Sequence, residues 1–150
     1  MDKKPKVLFI SRGNCTRSEM AEGFLRKWGK DGFDAVSTAT DSEAVNPIAR
    51  EVMKEAGVDI SFQRPKNLKD SLKEHYAYVV SLCDSKRYRF PVFPFTTNLL
   101  KWNVPDPVMA EGSDEQRLAI FRNVRDEIEV KVHDLVIKTL APSFAHAPMN

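Results

Sequence analysis

Continuous apolar runs alternate along the chain with segments in which apolar residues recur every three or four positions. The run from Lys6 to Ser11 is apolar throughout its middle, which is typical of a strand buried on both faces. Further strand patterns occupy residues 33–40 and 76–83, with weaker ones near 91–93 and 99–103. The chain therefore begins with a buried strand and offers at least two more.

Three other segments have the spacing of amphipathic helices. The first follows the loop behind the first strand. The second begins at Asn46-Pro47, with Asn as N-cap and Pro in the first turn, and Gly57 is its expected end. The third covers residues 115–140, and the tail 141–150 is expected to be loose.

Helices between strands imply crossover connections and therefore parallel pairing. We predict one α/β domain over residues 1–150, with a core at about 6–140 and a four-stranded parallel sheet with helices on both faces. Ligands of such sheets bind at the carboxyl ends of the strands, where the strand order reverses. The loop after the first strand is therefore the first place to look for a site.

Composition narrows the class of protein. Apolar residues make up 42% and charged residues 29%, and 23 basic against 21 acidic residues leave a net charge of +2. That charge is too small and dispersed to indicate nucleic-acid binding, and no apolar run approaches the roughly 18 residues of a membrane span. Two cysteines without a signal-peptide pattern predict a cytoplasmic protein, and no residue cluster has metal-ligand spacing.

The loop after the first strand has the composition of an anion cradle. It reads Ser11-Arg12-Gly13-Asn14-Cys15-Thr16-Arg17-Ser18, and we call it loop 11–18. A helix starts directly behind it, so unpaired N–H groups and the positive end of the helix dipole are available. Gly13 and Asn14 tolerate the unusual dihedrals such a loop needs, and Arg17 adds a fork for two oxyanion oxygens. The alternative is a polar turn with a solvated arginine.

The run from Val7 to Gly23, which contains this loop, resembles the signature of low-molecular-weight protein tyrosine phosphatases and the related thiol-dependent arsenate reductases. Further similar motifs are Asn46-Pro47, Glu55-Ala-Gly-Val-Asp-Ile-Ser61, Tyr78-Val-Val-Ser-Leu-Cys83 and Val124-Arg-Asp-Glu-Ile128. The likeness covers about residues 6–138 and is closer to the reductase branch. It implies a flavodoxin-like three-layer fold that binds arsenate, phosphate or sulfate. It also implies a small thiol or a redox protein as reductant, and no cofactor.

The resemblance also implies roles for single residues, each with an ordinary alternative. Arg17 binds the oxyanion, and Ser18 donates a hydrogen bond to the nucleophile or serves as helix N-cap. Asp106 matches the general acid, but an aspartate before proline is also an everyday turn residue. Cys83 matches a redox cysteine or is a small buried hydrophobe. Cys15 is either loop filler or a displaced nucleophile or resolving thiol.

The chain departs from the family pattern at the nucleophile. Ser11 stands where the family has cysteine, five residues before Arg17, and Phe90 stands where the reductases have a third cysteine. An anion cradle lowers a thiol pKa from about 8.5 to roughly 3.5–7.5, whereas a serine hydroxyl needs a neighbouring base. We therefore expect oxyanion binding without the first covalent step. Ser11 is either a laboratory substitution or natural divergence, and Phe90 favours divergence.

Three functions remain open at this point. The first is an arsenate-reductase-like enzyme that is inactive or altered because of Ser11. The second is a non-catalytic module that binds an oxyanion or a phosphoprotein. The third is a phosphatase, which is disfavoured because Val108 follows Pro107 where a tyrosine would support that branch.

Overall fold

The computed structural model describes residues 4–12, 14–39, 45–83 and 96–145. Within these residues the chain forms five strands and four helices. They are β1 (Lys6–Ser11), α1 (Thr16–Gly29), β2 (Asp34–Ala39), α2 (Pro47–Glu55), β3 (Lys66–Asn67), α3 (Leu68–Ser71), β4 (Tyr76–Ser81), β5 (Thr96–Lys101) and α4 (Asp114–Ala145). Short 3-10 turns lie at Lys30–Gly32 and Pro107–Met109.

The strands form one parallel sheet in the order β3-β2-β1-β4-β5. The predicted parallel sheet with helical crossovers is confirmed. The predicted count of four strands was one too low, because β3 has only two residues and leaves no pattern in the sequence. The pattern near 99–103 corresponds to β5, while the one near 91–93 lies outside the described residues.

β1 is the centre of the sheet and separates two apolar clusters. The four consecutive residues Val7 to Ile10 of this strand are completely buried. Val7 and Phe9 pack with residues of α1, α2 and α4 in the larger cluster, whereas Leu8 and Ile10 belong to a smaller one that includes Leu68 of α3. Burial of each such side chain contributes about 2 kcal/mol. Helices therefore cover both faces, and β1 reads as a continuous apolar run for that reason.

Both ends of α2 follow the sequence signals. The Asn46 side chain accepts hydrogen bonds from the N–H groups of Ile48 and Ala49, and the chain leaves α2 through Gly57 at φ +79°. α4 extends to Ala145 and so includes residues 141–145 of the tail that we predicted to be loose. Leu135 and Val136 of this helix are buried in the core. Residues 146–150 lie outside the described part. No helix in the described ranges is both long and apolar enough to cross a bilayer.

The strand order places loop 11–18 at the switch point of the sheet, where the order of the strands reverses. From β1 the chain moves to β2 on one side, whereas β4 and β5 lie on the other. The carboxyl ends of β1, β4 and β5 therefore meet where the direction of winding reverses, which is where open parallel sheets bind ligands.

Candidate functional site

Arg17 connects the ends of three strands. Its Nη1 donates to the carbonyls of Leu82 and Val104, at 3.1 and 2.9 Å, and its Nη2 donates to the carbonyl of Arg12 at 3.3 Å. These carbonyls follow β4, β5 and β1. Arg17 is only 5% exposed, and its Nε has no hydrogen-bond partner among the described residues. A buried N–H group without a partner costs about 1–3 kcal/mol, so this position lacks an acceptor.

These contacts change the expected use of the Arg17 fork. Two carbonyl acceptors occupy Nη1, so both of its N–H groups are committed to the protein. The Nε–H and one N–H of Nη2 remain for an oxyanion. Asp106 Oδ2 lies 3.9 Å from Nη2 and partly balances the buried positive charge.

Ser11 has a structural contact with the first turn of α1. It is the last residue of β1, it is completely buried, and its Oγ accepts a 2.7 Å hydrogen bond from the backbone N–H of Ser18. The Ser18 hydroxyl donates to the Cys15 carbonyl, so it is the Ser18 backbone that reaches the nucleophile position. The expectation that Ser18 is the N-cap was wrong, because the helix begins one turn earlier, with Cys15 at that position.

Asn14 and Asp106 fix the far side of the loop. Asn14 Oδ1 accepts from the N–H of Thr16 at 3.1 Å, as expected of a loop-shaping asparagine, and its Nδ2 donates to Asp106 Oδ2 at 3.0 Å. Asp106 Oδ1 accepts from the N–H of Val108 and begins the 3-10 turn. Asp106 therefore faces loop 11–18, and both of its oxygens already accept hydrogen bonds. The N–H groups of Thr16 and Ser18 are used within the loop as well.

Cys83 lies beside the residues that flank Ser11. It is 1% exposed, and its Sγ is 3.9 Å from the carbonyl of Ile10. Burial raises the pKa of the Cys83 thiol, and the nearby Arg17 guanidinium and the Arg12 backbone N–H offset that effect in part. The side chain is therefore a neutral thiol at the base of loop 11–18.

The sequence did not single out Glu19, which lies one turn along α1 from Cys15. The Cys15 Sγ donates to Glu19 Oε1 at 3.0 Å, and both residues are buried. Glu19 Oε2 has no hydrogen-bond partner in the described part of the chain. Burial is the main reason that the pKa of Glu19 rises to about 7. The signal was the spacing of four residues, which puts a thiol and a carboxylate on one helix face.

Two features complete the surroundings of the loop. A cleft of about 340 Å³ lies beside it, lined by Asn14, Cys15, Thr16, Val45, Asn46, Pro47 and Val108. Among the described residues no group of three or more His, Cys, Asp or Glu is arranged to hold a metal ion.

Arg12, Gly13 and Phe90 complete the set of residues that the sequence singled out. The side chain of Arg12 is exposed, and Gly13 and Phe90 lie outside the described residues.

Comparisons with known proteins identify relatives of this chain. The chain is 39% identical to the arsenate reductase of Halalkalibacterium halodurans over 132 residues, which is 88% of this chain and 94% of that protein. It is 34% identical to the arsenate reductase of Bacillus subtilis over 122 residues, 81% of this chain and 88% of that one.

Solved structures show the same likeness. An arsenate reductase in the phosphate binding state matches with a TM-score of 0.75 and 32% identity, over 89% of this chain and 98% of that one. The family model described as low molecular weight phosphotyrosine protein phosphatase matches residues 6–144. The chain therefore belongs to the low molecular weight phosphotyrosine protein phosphatase family, and its relatives include arsenate reductases.

Proposed function

We propose that this chain is an arsenate-reductase-like protein that binds a tetrahedral oxyanion in loop 11–18 and, with Ser11 in place, goes no further than binding. The observation that carries the proposal is the buried Nε–H of Arg17, which has no acceptor among the described residues. An arsenate, phosphate or sulfate oxygen supplies such an acceptor together with a compensating charge.

Two further features support binding of an anion. Loop 11–18 leads into α1, a helix of 14 residues whose N-terminal dipole favours negative charge. One similar arsenate reductase has been solved in a phosphate binding state. The Asp106 carboxylate lies 3.9 Å from Arg17 and therefore repels an anion bound there. We propose that the attraction of the anion to Arg17 and to the helix dipole exceeds this repulsion.

The nucleophile position explains why binding is separated from reaction. The described hydrogen bond of the Ser11 hydroxyl is one that it accepts from a backbone N–H, which supplies no base for its proton. The nearby Cys83 is held neutral by burial. A serine also cannot form the disulfide through which a thiol enzyme passes electrons to arsenate.

Thermal unfolding with sulfate, phosphate and arsenate tests the binding. An anion present at ten times its Kd should stabilise the folded protein by about 1.4 kcal/mol. Arg17→Ala should abolish the effect, whereas Arg26→Ala, at the other end of α1, should retain it. Circular dichroism at low temperature checks that both variants are folded. If no oxyanion at millimolar concentration shifts the melting temperature of the unaltered chain, loop 11–18 is not an anion-binding site.

A second candidate, a live thiol enzyme, is favoured by the placement of Cys83 and Asp106 around the nucleophile position. Ser11→Cys should then produce hydrolysis of a small aryl phosphate or thiol-dependent arsenate reduction, whereas Ser11→Ala should not. With phenylalanine at position 90, we expect a low-molecular-weight thiol rather than thioredoxin to complete a reductase cycle. If Ser11→Cys binds anions but stays inert, only the binding function remains.

A further inference from the structure

Cys15 and Glu19 form a pair that oxyanion binding does not use. The Cys15 Sγ–H donates to Glu19 Oε1 at 3.0 Å, so the thiol is directed toward the carboxyl group. Glu19 is completely buried, and its Oε2 has no partner among the described residues. An unsatisfied buried carboxyl oxygen is costly, and a proton on Glu19 removes most of that cost. The pair therefore places a proton acceptor in direct contact with the thiol.

Cys15 also lines a cleft beside loop 11–18. The cleft has a volume of about 340 Å³, and none of the lining residues that the structure describes is charged. Val45, Pro47 and Val108 give it apolar walls, and two asparagines and a threonine add neutral polar groups. A cavity of this volume is large enough for a small uncharged molecule beside Cys15.

We propose that Cys15 is a reactive thiol, with Glu19 as its proton acceptor, and that it exchanges with a small uncharged disulfide bound in this cleft. Glu19 takes the proton from Cys15 Sγ, and the thiolate attacks one sulfur of the disulfide. The S–S bond of the disulfide breaks as a Cys15–S bond forms, and the departing thiolate takes the proton from Glu19. No other oxidant or reductant is needed, and the step does not depend on an oxyanion in loop 11–18.

The surroundings of the pair are suited to this step. Cys15 is the N-cap of α1, where the helix dipole stabilises a thiolate. Glu19 has a pKa of about 7, which burial causes and which matches a base that works at neutral pH. Among the described residues, the charged groups that act on Glu19 are Glu22 on the same helix and Arg64 from the segment after α2, and their effects on the pKa of the Glu19 carboxyl are opposite in sign.

Alkylation with iodoacetamide, followed by peptide mass spectrometry, measures the reactivity of both cysteines in one molecule. Cys83 is the internal control, because it is equally buried but its raised pKa keeps it neutral. We expect Cys15 to react about tenfold faster than Cys83. Equal rates for the two thiols would show that both react only when the chain unfolds, and that result overturns the proposal.

Glu19→Gln isolates the role of the carboxylate, and Glu22→Gln is its matched control on the same buried helix face. Glu19→Gln should slow Cys15 alkylation by about tenfold or more and shift its pH profile, without changing the Cys83 rate. Glu22→Gln should stay close to the unaltered chain. If Glu19→Gln reacts like the unaltered protein, or if both variants slow Cys15 equally, Glu19 is not the proton acceptor.

Exchange itself is tested with bis(2-hydroxyethyl) disulfide as the uncharged probe and glutathione disulfide as the charged one. The uncharged probe should add one mercaptoethanol group at Cys15, removable by a reductant and absent in Cys15→Ser. Rates are normalised to those of free cysteine. A faster normalised reaction with glutathione disulfide would contradict the proposal that the cleft binds an uncharged disulfide. Addition at Cys83 instead of Cys15 would contradict the proposal that Cys15 is the reactive thiol.

Discussion

Replacing Glu19 by glutamine should change how the stability of this protein depends on pH. Glu19 is completely buried, and burial raises its pKa to about 7. In the unfolded chain a glutamate titrates near 4.3. The folded state therefore holds the proton at pH values where the unfolded state has lost it. Glu19 thus destabilises the fold increasingly as the pH rises from about 4.3 to about 7, and by a constant amount above that.

The size of the effect follows from the two pKa values. Their difference corresponds to about 3 to 4 kcal/mol at pH 8, of which about 1 kcal/mol is already present at pH 5. The pH-dependent part between pH 5 and pH 8 is therefore about 2 to 3 kcal/mol. Glutamine does not titrate, so the variant loses this part. Any constant change in packing or hydrogen bonding cancels when the two pH values are compared.

Urea unfolding measures this pH-dependent part of the free energy of unfolding. The measurement compares the unaltered chain with Glu19→Gln and Glu22→Gln, each at pH 5 and at pH 8. The advantage of Glu19→Gln over the unaltered chain should grow by about 2 to 3 kcal/mol at the higher pH. Glu22 is also buried and is paired with Arg26 at 2.8 Å, so Glu22→Gln is the control variant on the same helix face and should not show this growth. An advantage of Glu19→Gln that is the same at both pH values would refute the reasoning.

Three other substitutions test the packing and the site. Gly23→Ala should cost about 1–2 kcal/mol in urea unfolding, because the added Cβ would lie 2.8 Å from the Ile60 side chain and overpacking exceeds the gain in helix propensity. Asn46→Ala should cost about 1 kcal/mol in the same assay, because α2 loses its N-cap. Asp106→Asn should tighten phosphate binding about three- to tenfold by calorimetry, because it removes a negative charge 3.9 Å from Arg17. Unchanged phosphate affinity would place the anion away from Asp106.

The strands and helix ends that depend on residues close together in the chain could be predicted from the sequence. A run of apolar residues buried on both faces leaves a clear pattern, so β1 was predictable. The end of α2 was predictable because Gly57 adopts a positive φ that other residues disfavour. β3 was not predictable, because its two residues pair with β2 through the backbone and carry no periodicity.

The site was predictable in position but not in its contacts. The strand-loop-helix order and Arg17 were visible in the sequence. The carbonyls that occupy Nη1 come from Leu82 and Val104, which are 65 and 87 residues away along the chain. No local pattern reveals such partners. Glu19 was missed for a related reason, because a glutamate in a helix is normally solvated, and only the packing of the fold shows that this one is buried.

The structure also explains how a serine can stand at the nucleophile position without disturbing the loop. The Ser11 hydroxyl accepts the N–H of Ser18, one of the first-turn donors of α1 that otherwise lacks a partner. The loop is also held by Arg17 and by the bond between Asn14 and Asp106, neither of which involves the nucleophile. In the proposed function, anion binding depends on these contacts and on the buried Nε–H, whereas the thiol reaction of a cysteine enzyme depends on one sulfur atom. We therefore expect serine at position 11 to prevent the reaction and to leave the binding site intact.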